Sequence, residues 1–229
     1  MVTTVALSDS EPATSAKKDD ASLVSALSTS AKSPERSTSA KPSPTTPARS
    51  NETPVVPGYQ VVVSREVGAA YDVPAGWTVI NDGRLGPAPN GIIGKGYAID
   101  GKGYCPGSTR TIALLTGTDD TDPTQAATDL GIRSAKLAYS DNTGGTVGTP
   151  QPLSSIDGVQ HGMFVETTGT VAKAKPGCAT QYSIFTFAMP TDGEKGSFVM
   201  VIAADTGVPD ALDAAAAKRI FTSIRPHES

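Results

Sequence analysis

Apolar and polar positions alternate from Tyr59 to Val63, and the run is rich in β-branched residues, so it predicts a first strand. Pro74 and Gly76 then predict a turn, after which Trp77 to Ile80 opens a second strand carrying the lone Trp. Asn81-Asp82-Gly83 reads as punctuation, and Gly86 to Gly91 as a loop. Ile92 to Ile99 is a further strand ahead of the tight-turn dipeptide Asp100-Gly101, and Arg110 to Leu115 is another. The pattern changes at Asp122. Asp122 is placed as N-cap, Pro123 at the first helical position and Gln125 as the partner in a capping box, with the helix running to about Ser140. Its inward face is predicted to be Ala127, Leu130, Gly131, Ser134, Leu137 and Ala138, small enough to lie close against a sheet.

Three strands follow the glycine-rich loop at Asn142 to Gly148: Gly162 to Val171, Thr180 to Ala188, and Phe198 to Ala203. The last two flank the loop Thr191 to Gly196 and should pair antiparallel. Phe198-Val199-Met200-Val201-Ile202-Ala203 is apolar without alternation, the mark of a strand buried on both faces. Pro209 is expected to open a last helix, with Leu212, Ala216, Ile220 and Ile224 as its core stripe, Phe221 on the flank and Pro226 as its stop. The predicted fold class is α+β: an antiparallel sheet with helices packed on its faces.

Composition divides the chain at one place. Ser, Thr, Pro and Ala supply 34 of the first 54 positions, with no Gly and no aromatic residue. Such a stretch cannot bury enough apolar surface to offset chain entropy, which predicts a disordered tether over residues 1–54 and a single domain over 55–229. The tether's acids and bases cancel, so the net charge of −4 belongs to the domain. A mild negative balance without a basic patch argues against nucleic acid as a partner.

No run of 18 apolar residues exists, so no complete membrane span is present. The short apolar piece Val2 to Leu7 is either a translation start that happens to be apolar or the outer stub of an anchor absent from this chain. The second is favoured, because a tether without an anchor has little use.

Cys105 and Cys178 are the only thiols, and each stands beside a Pro-Gly turn signal. An even pair in a Lys-poor, loop-rich exported domain predicts a disulfide and an oxidising, extracytoplasmic location, the alternative being two buried free thiols in a cytosolic protein. A structural zinc would need four ligands, and these cysteines have no neighbouring His. No cofactor is expected.

Catalytic motifs are missing: the chain has no GxSxG elbow, no HExxH and no P-loop. His161 is placed at a surface or edge position, and His227 in a frayed tail. Asp119, Asp120, Asp122 and Asp129 lack the alternating spacing and Gly turn of a calcium loop, and read as helix N-terminus electrostatics. Asn51-Glu52-Thr53 matches an N-glycosylation acceptor. No catalytic, cofactor-binding or metal residue is nominated.

The segment Tyr71-Asp72-Val73-Pro74-Ala75-Gly76-Trp77-Thr78-Val79 resembles the opening signature of an uncharacterised domain family. Its members occur on actinobacterial envelope proteins with one transmembrane helix and a low-complexity linker. Gly96-Tyr97-Ala98, Gly103-Tyr104-Cys105 and the stretches Ala203 to Val208 and Ser223 to Pro226 are similar to the same pattern. More distantly, the Val-Pro-x-Gly-Trp strand and closing helix resemble the PsbP-like fold of LpqN-type lipoproteins. The resemblance spans about Pro57 to Pro226, implies a fold, and transfers no functional residue. This chain lacks the lipidated Cys of the LpqN type.

Three functions fit these observations. The first is a non-catalytic extracytoplasmic domain that binds an envelope protein, glycan or lipid. The second is a lipid or small-molecule carrier, which requires an apolar cavity between sheet and helix. The third is an envelope enzyme with an unrecognised site.

Overall fold

A computed structural model describes residues 53–141, 143–191 and 196–227. Residues 1–52 of the predicted tether, with the Val2–Leu7 piece and Asn51, and the loop tip 192–195 lie outside the described residues, whereas Thr53, also assigned to the tether, is described and its carbonyl accepts from Arg225.

The strands are β1 (Tyr59–Ser64), β2 (Ala69–Pro74), β3 (Thr78–Leu85), β4 (Ile92–Lys102) and β5 (Thr109–Thr118), followed by helix α1 (Pro123–Tyr139). After α1 come β6 (Thr146–Val147), β7 (Gln151–Ser154), β8 (His161–Thr170), β9 (Gln181–Pro190) and β10 (Ser197–Thr206). Helix α2 (Ala214–Thr222) and β11 (Arg225–Pro226) complete the chain. Eight strands form one sheet in the order β3-β4-β5-β10-β9-β8-β6, with β7 also paired to β8, and a smaller sheet has the order β1-β2-β11. Every pairing is antiparallel, so the α+β expectation is met.

Strand β10 lies at the centre of the large sheet, and its alternation explains the two layers around it. Phe198, Met200, Ile202 and Ala204 face one cluster with β1, β2 and α2, where Phe221 packs 5.8 Å from Phe187 and 5.9 Å from Phe164. Val199, Val201 and Ala203 face the other cluster, under α1. The α1 side is built on small residues: a Cβ on Gly131 would stand 2.6 Å from Thr167 Oγ1, so the helix approaches as closely as glycine allows. Thr186 Oγ1 donates to the Ala127 carbonyl at 2.9 Å and ties sheet to helix.

Several expectations are corrected. Residues 69–74 form strand β2, which the turn signals around Pro74 obscured. Asn81-Asp82-Gly83 does not interrupt β3, because the ladder to β4 runs through it (Asp82 opposite Lys95, Gly83 opposite Gly94). Asp100-Gly101 sits inside β4, and the chain reverses over residues 103–108. Asp122 caps α1 by accepting from Thr124 N at 2.9 Å, but Gln125 donates forward to Asp129 and makes no capping box. Ala126 and Ala135 join the buried face of α1, whereas Leu137 and Ala138 are half-buried.

The last helix opens at Ala214 with Asp213 as its cap, not at Pro209; Asp210 between them has φ 58°, which no helix accommodates. Phe221 is fully buried rather than flanking, and Ala217 rather than Ala216 faces the core. Ser223 caps the end of this helix, so Pro226 pairs in β11 instead of stopping it. His227 is no frayed residue: its amide donates to the Gly68 carbonyl at 2.8 Å, and the side chain is buried.

Candidate functional site

The disulfide marks the site. Cys105 and Cys178 are bonded, with Cα atoms 5.4 Å apart, as the sequence predicts. Cys105 lies in the β4–β5 loop and Cys178 in the β8–β9 loop. These two loops flank the C-terminal end of β10, since β5 and β9 are the neighbours of β10. The bond therefore links two hairpin tips around the end of the central strand, where Asp205 stands.

Asp205 follows the apolar run of β10 on the α1 face, and is 8% exposed. Tyr104, adjacent to Cys105, donates its hydroxyl to Asp205 Oδ2 and receives the Ala179 amide at 3.1 Å. Tyr139, the last residue of α1, bonds the same carboxyl. Its ring stacks on Tyr182 at 4.1 Å, and Tyr182 donates to Asp141 at 2.6 Å, which fixes the end of the helix. Burial pushes the Asp205 carboxyl above the ordinary aspartate value, and the two tyrosine donors oppose that rise. Burial, reinforced by the Asp205 charge, also raises the Tyr104 and Tyr139 hydroxyls, so both keep their protons and remain donors.

Beside this group a cleft of about 350 Å³ opens between the end of α1 and the sheet. Leu85, Ile112, Ala138 and Ala203 supply apolar wall, and Asp205 and Tyr139 supply polar wall. Ser108, Lys173 and Lys175 stand on the two loops at its edge with Thr109 at the start of β5, and Lys175 Nζ donates to the Pro106 carbonyl at 3.1 Å. Both the size and the mixture of apolar surface with few polar groups suit a small-molecule site. The arrangement can accept hydrogen bonds at Asp205, attract an anion at the lysines and cover an apolar ring.

A second cleft, of about 310 Å³, lies on the other face of the sheet near Trp77 and Arg110. Its cation is already engaged: Arg110 donates to Asp100 at 2.8 Å and to the Pro209 carbonyl at 3.0 Å, and holds the loop before α2.

His161 is exposed at the start of β8, its Nδ1 2.8 Å from the exposed Ser154 Oγ on β7. Neither residue lines the disulfide cleft. Of the predicted acidic cluster, Asp120 accepts from the Asp122 amide and Asp122 caps α1, whereas Asp129 lies within the helix, past its first turn, and accepts from Gln125, so the N-terminus does not account for it. Among the described residues no group of three His, Cys, Asp or Glu side chains is arranged to hold a metal ion. Asp205, Tyr104 and the lysines of the β8–β9 loop were missed as site residues. The signal for Asp205 was present, because a carboxylate closing a doubly buried strand needs a reason to be there.

Fold and cleft together define an antiparallel α+β sandwich with a disulfide-linked opening at the end of its central strand. The chain belongs to the family described as a domain of unknown function (DUF8017), which it matches over residues 52–229. No curated protein matches it. Among solved structures, it is similar to a crystal structure from Bacteroides thetaiotaomicron VPI-5482 at 10% identity and a TM-score of 0.36. That match covers 74% of this chain and 48% of the other, so this chain spans about half of that protein. It is also similar to LpqN, involved in cell envelope biogenesis of Mycobacterium tuberculosis, at 18% identity and a TM-score of 0.35, with 77% of this chain and 90% of that one covered.

Proposed function

We propose that this protein is a non-catalytic extracytoplasmic binding domain that holds a small molecule in the cleft beside Asp205. One observation carries the reading. A carboxylate that is 8% exposed lines an open cleft, and its hydrogen-bond partners are neutral hydroxyls that leave acceptor capacity unfilled. The Cys105–Cys178 bond supports an oxidising compartment, since such bonds persist outside the reducing cytosol. In this reading the stretch ahead of Thr53, whose carbonyl Arg225 holds to the domain, is a tether that lets the domain stand away from an actinobacterial membrane, anchored by a helix outside this chain.

The carrier function is narrowed by packing. Leu114, Val165, Ile184, Val199 and Val201 are fully buried between sheet and α1, and leave the open volume at the end of the layer. That geometry favours a small ligand over a long acyl chain. A non-catalytic role is favoured because both tyrosine hydroxyls are engaged by Asp205 and keep their protons.

The test is a fragment screen by amide-resolved NMR on the oxidised protein, repeated with Ala138→Trp, which fills the cleft. Hits should shift the amides of Tyr139, Asp205 and the β8–β9 loop, and should vanish in the Trp variant. Hits that persist unchanged in that variant would remove the cleft from consideration. Two alkylatable thiols in the native protein would remove the extracytoplasmic location.

A further inference from the structure

We infer that the cleft selects an acidic, polyhydroxylated ligand of about monosaccharide size, its acid toward the β8–β9 lysines and a hydroxyl donated to Asp205. This rests on the reading of the cleft as a binding site and adds the chemistry of what enters it.

Charge distribution is the first support. The protein as a whole is acidic, with a net charge of −4. The two loops joined by the disulfide are not: residues 103–108 carry no charged side chain, and residues 171–180 carry Lys173 and Lys175 and no carboxylate. Folding brings both segments to the same end of the sheet, so the cleft edge is locally positive in an otherwise negative molecule. Positive side chains bordering a low-dielectric wall focus their field into the opening and attract an anion. Lys173 and Lys175 are the cations that line this cleft, whereas Arg110 lies at the second cleft and is engaged by Asp100 and the loop before α2.

The inner wall asks for something different. Asp205 accepts from Tyr104 and Tyr139, and an ionised carboxylate offers about four acceptor positions. A ligand that reaches it must donate, and a hydroxyl does so without bringing a second charge into a buried place. A purely anionic ligand would meet repulsion here, and a purely apolar one would leave the carboxylate unsatisfied. Leu85, Ile112, Ala138 and Ala203 between the two polar ends suit the C–H surface of a saturated ring. A cleft of about 350 Å³ takes one such ring with its substituents, not a chain of them.

Three probes separate the elements of this inference: D-glucuronate, with acid and hydroxyls; D-glucose, with hydroxyls alone; and cyclohexanecarboxylate, with acid and ring alone. Each is titrated into the oxidised protein and followed by amide shifts. Glucuronate should bind at about millimolar concentration, as expected for a fragment of this size. It should move Tyr139, Asp205 and residues 171–179, and bind about tenfold more tightly than either partial probe, a difference on the scale of one charged or hydrogen-bonded contact. Lys173→Gln with Lys175→Gln should bring it to the glucose level. Raising salt from about 50 to about 500 mM should weaken the wild type and leave the double variant unchanged. Because Lys175 also bonds Pro106, the variant's thermal midpoint is measured, and Lys173→Gln alone, which breaks no hydrogen bond or ion pair among the described residues, gives the same direction with a smaller effect. Equal binding of glucose or cyclohexanecarboxylate would overturn the ligand class while leaving the binding site intact. Shifts confined to other surfaces, or none with any probe at tens of millimolar, would overturn both.

Discussion

Among the described residues two aspartates are buried, and they are held in unlike ways. Asp72 on β2 is wholly inaccessible. Its Oδ1 faces Arg225 Nη1 at 2.9 Å, and its Oδ2 accepts the Val55 and Val56 amides at 2.6 and 2.9 Å. The same guanidinium reaches the carbonyls of Ser223 and Thr53, at 2.8 and 3.2 Å. Asp205, by contrast, has two neutral tyrosine donors and a cleft. A carboxylate surrounded by a cation and peptide N–H groups has nothing left to offer a ligand, and serves to pin three distant pieces of chain together. One held by hydroxyls beside open space keeps acceptor capacity. Burial alone therefore does not mark a functional acid; the charge and completeness of its partners do.

The largest effect expected from breaking this contrast is at Asp72. Asp72→Ala leaves a guanidinium buried without its counter-charge, which should lower stability by about 3–5 kcal/mol. Urea denaturation measures it directly. Replacing both partners with apolar residues, Asp72→Leu with Arg225→Met, should recover most of the loss, because no unpaired charge remains. A loss below about 1 kcal/mol in the single variant would mean that the clamp is not closed in solution.

The disulfide comes next, and it belongs to the Asp205 end. Its two cysteines are separated by 73 residues, and a loop of that length gives about 4 kcal/mol in the chain-entropy picture and about 2–4 in practice. Cys105→Ser with Cys178→Ser should lose that amount. Hydrogen exchange should quicken in residues 103–108 and 171–179, while the Val55 and Val56 amides on Asp72 keep their protection. Uniform quickening across both ends would show that the two regions unfold as one unit.

Sequence reading reached what depends on neighbours along the chain. Phe198 to Ala203 could be read as a doubly buried strand because both faces of β10 are apolar, and Asp122-Pro123 could be read as a helix start because capping chemistry is local. Cys105 and Cys178 were readable because only two thiols exist. What failed was set by partners far away. Asn81-Asp82-Gly83 looks like a turn, but β4 supplies a ladder and Lys95 pairs with Asp82 at 3.3 Å, so sheet context overrides local preference. Pro209 looks like a helix start until Asp210 takes a left-handed conformation under Arg110. Asp72 and Arg225 are 153 residues apart, and the cleft is built from the ends of α1, β5 and β10 with the β8–β9 loop. No spacing in one sequence announces either.

Asp205 offers the smallest and most discriminating test. Burial raises its carboxyl above the unfolded value, so the folded protein holds that proton to a higher pH than the unfolded chain does. The folded state then binds more protons in the interval between the two values, and stability falls as pH rises through it. The contribution is fully present below about pH 4, where unfolded aspartate is protonated, and is lost as pH passes the folded value. Asp205→Asn cannot ionise and keeps an oxygen for a tyrosine donor. It should cost about 1 kcal/mol or less at low pH, on the scale of one hydrogen bond. Its disadvantage relative to the wild type should then shrink as pH rises toward neutrality. Asp205→Leu, which strands both hydroxyls, should cost about 1–3 kcal/mol and show the same direction of change. Denaturation midpoints across this pH range decide the matter. A wild-type advantage that grows with pH would mean that the cleft stabilises the charged carboxylate, in the manner of Asp72, and would end the distinction between the two acids.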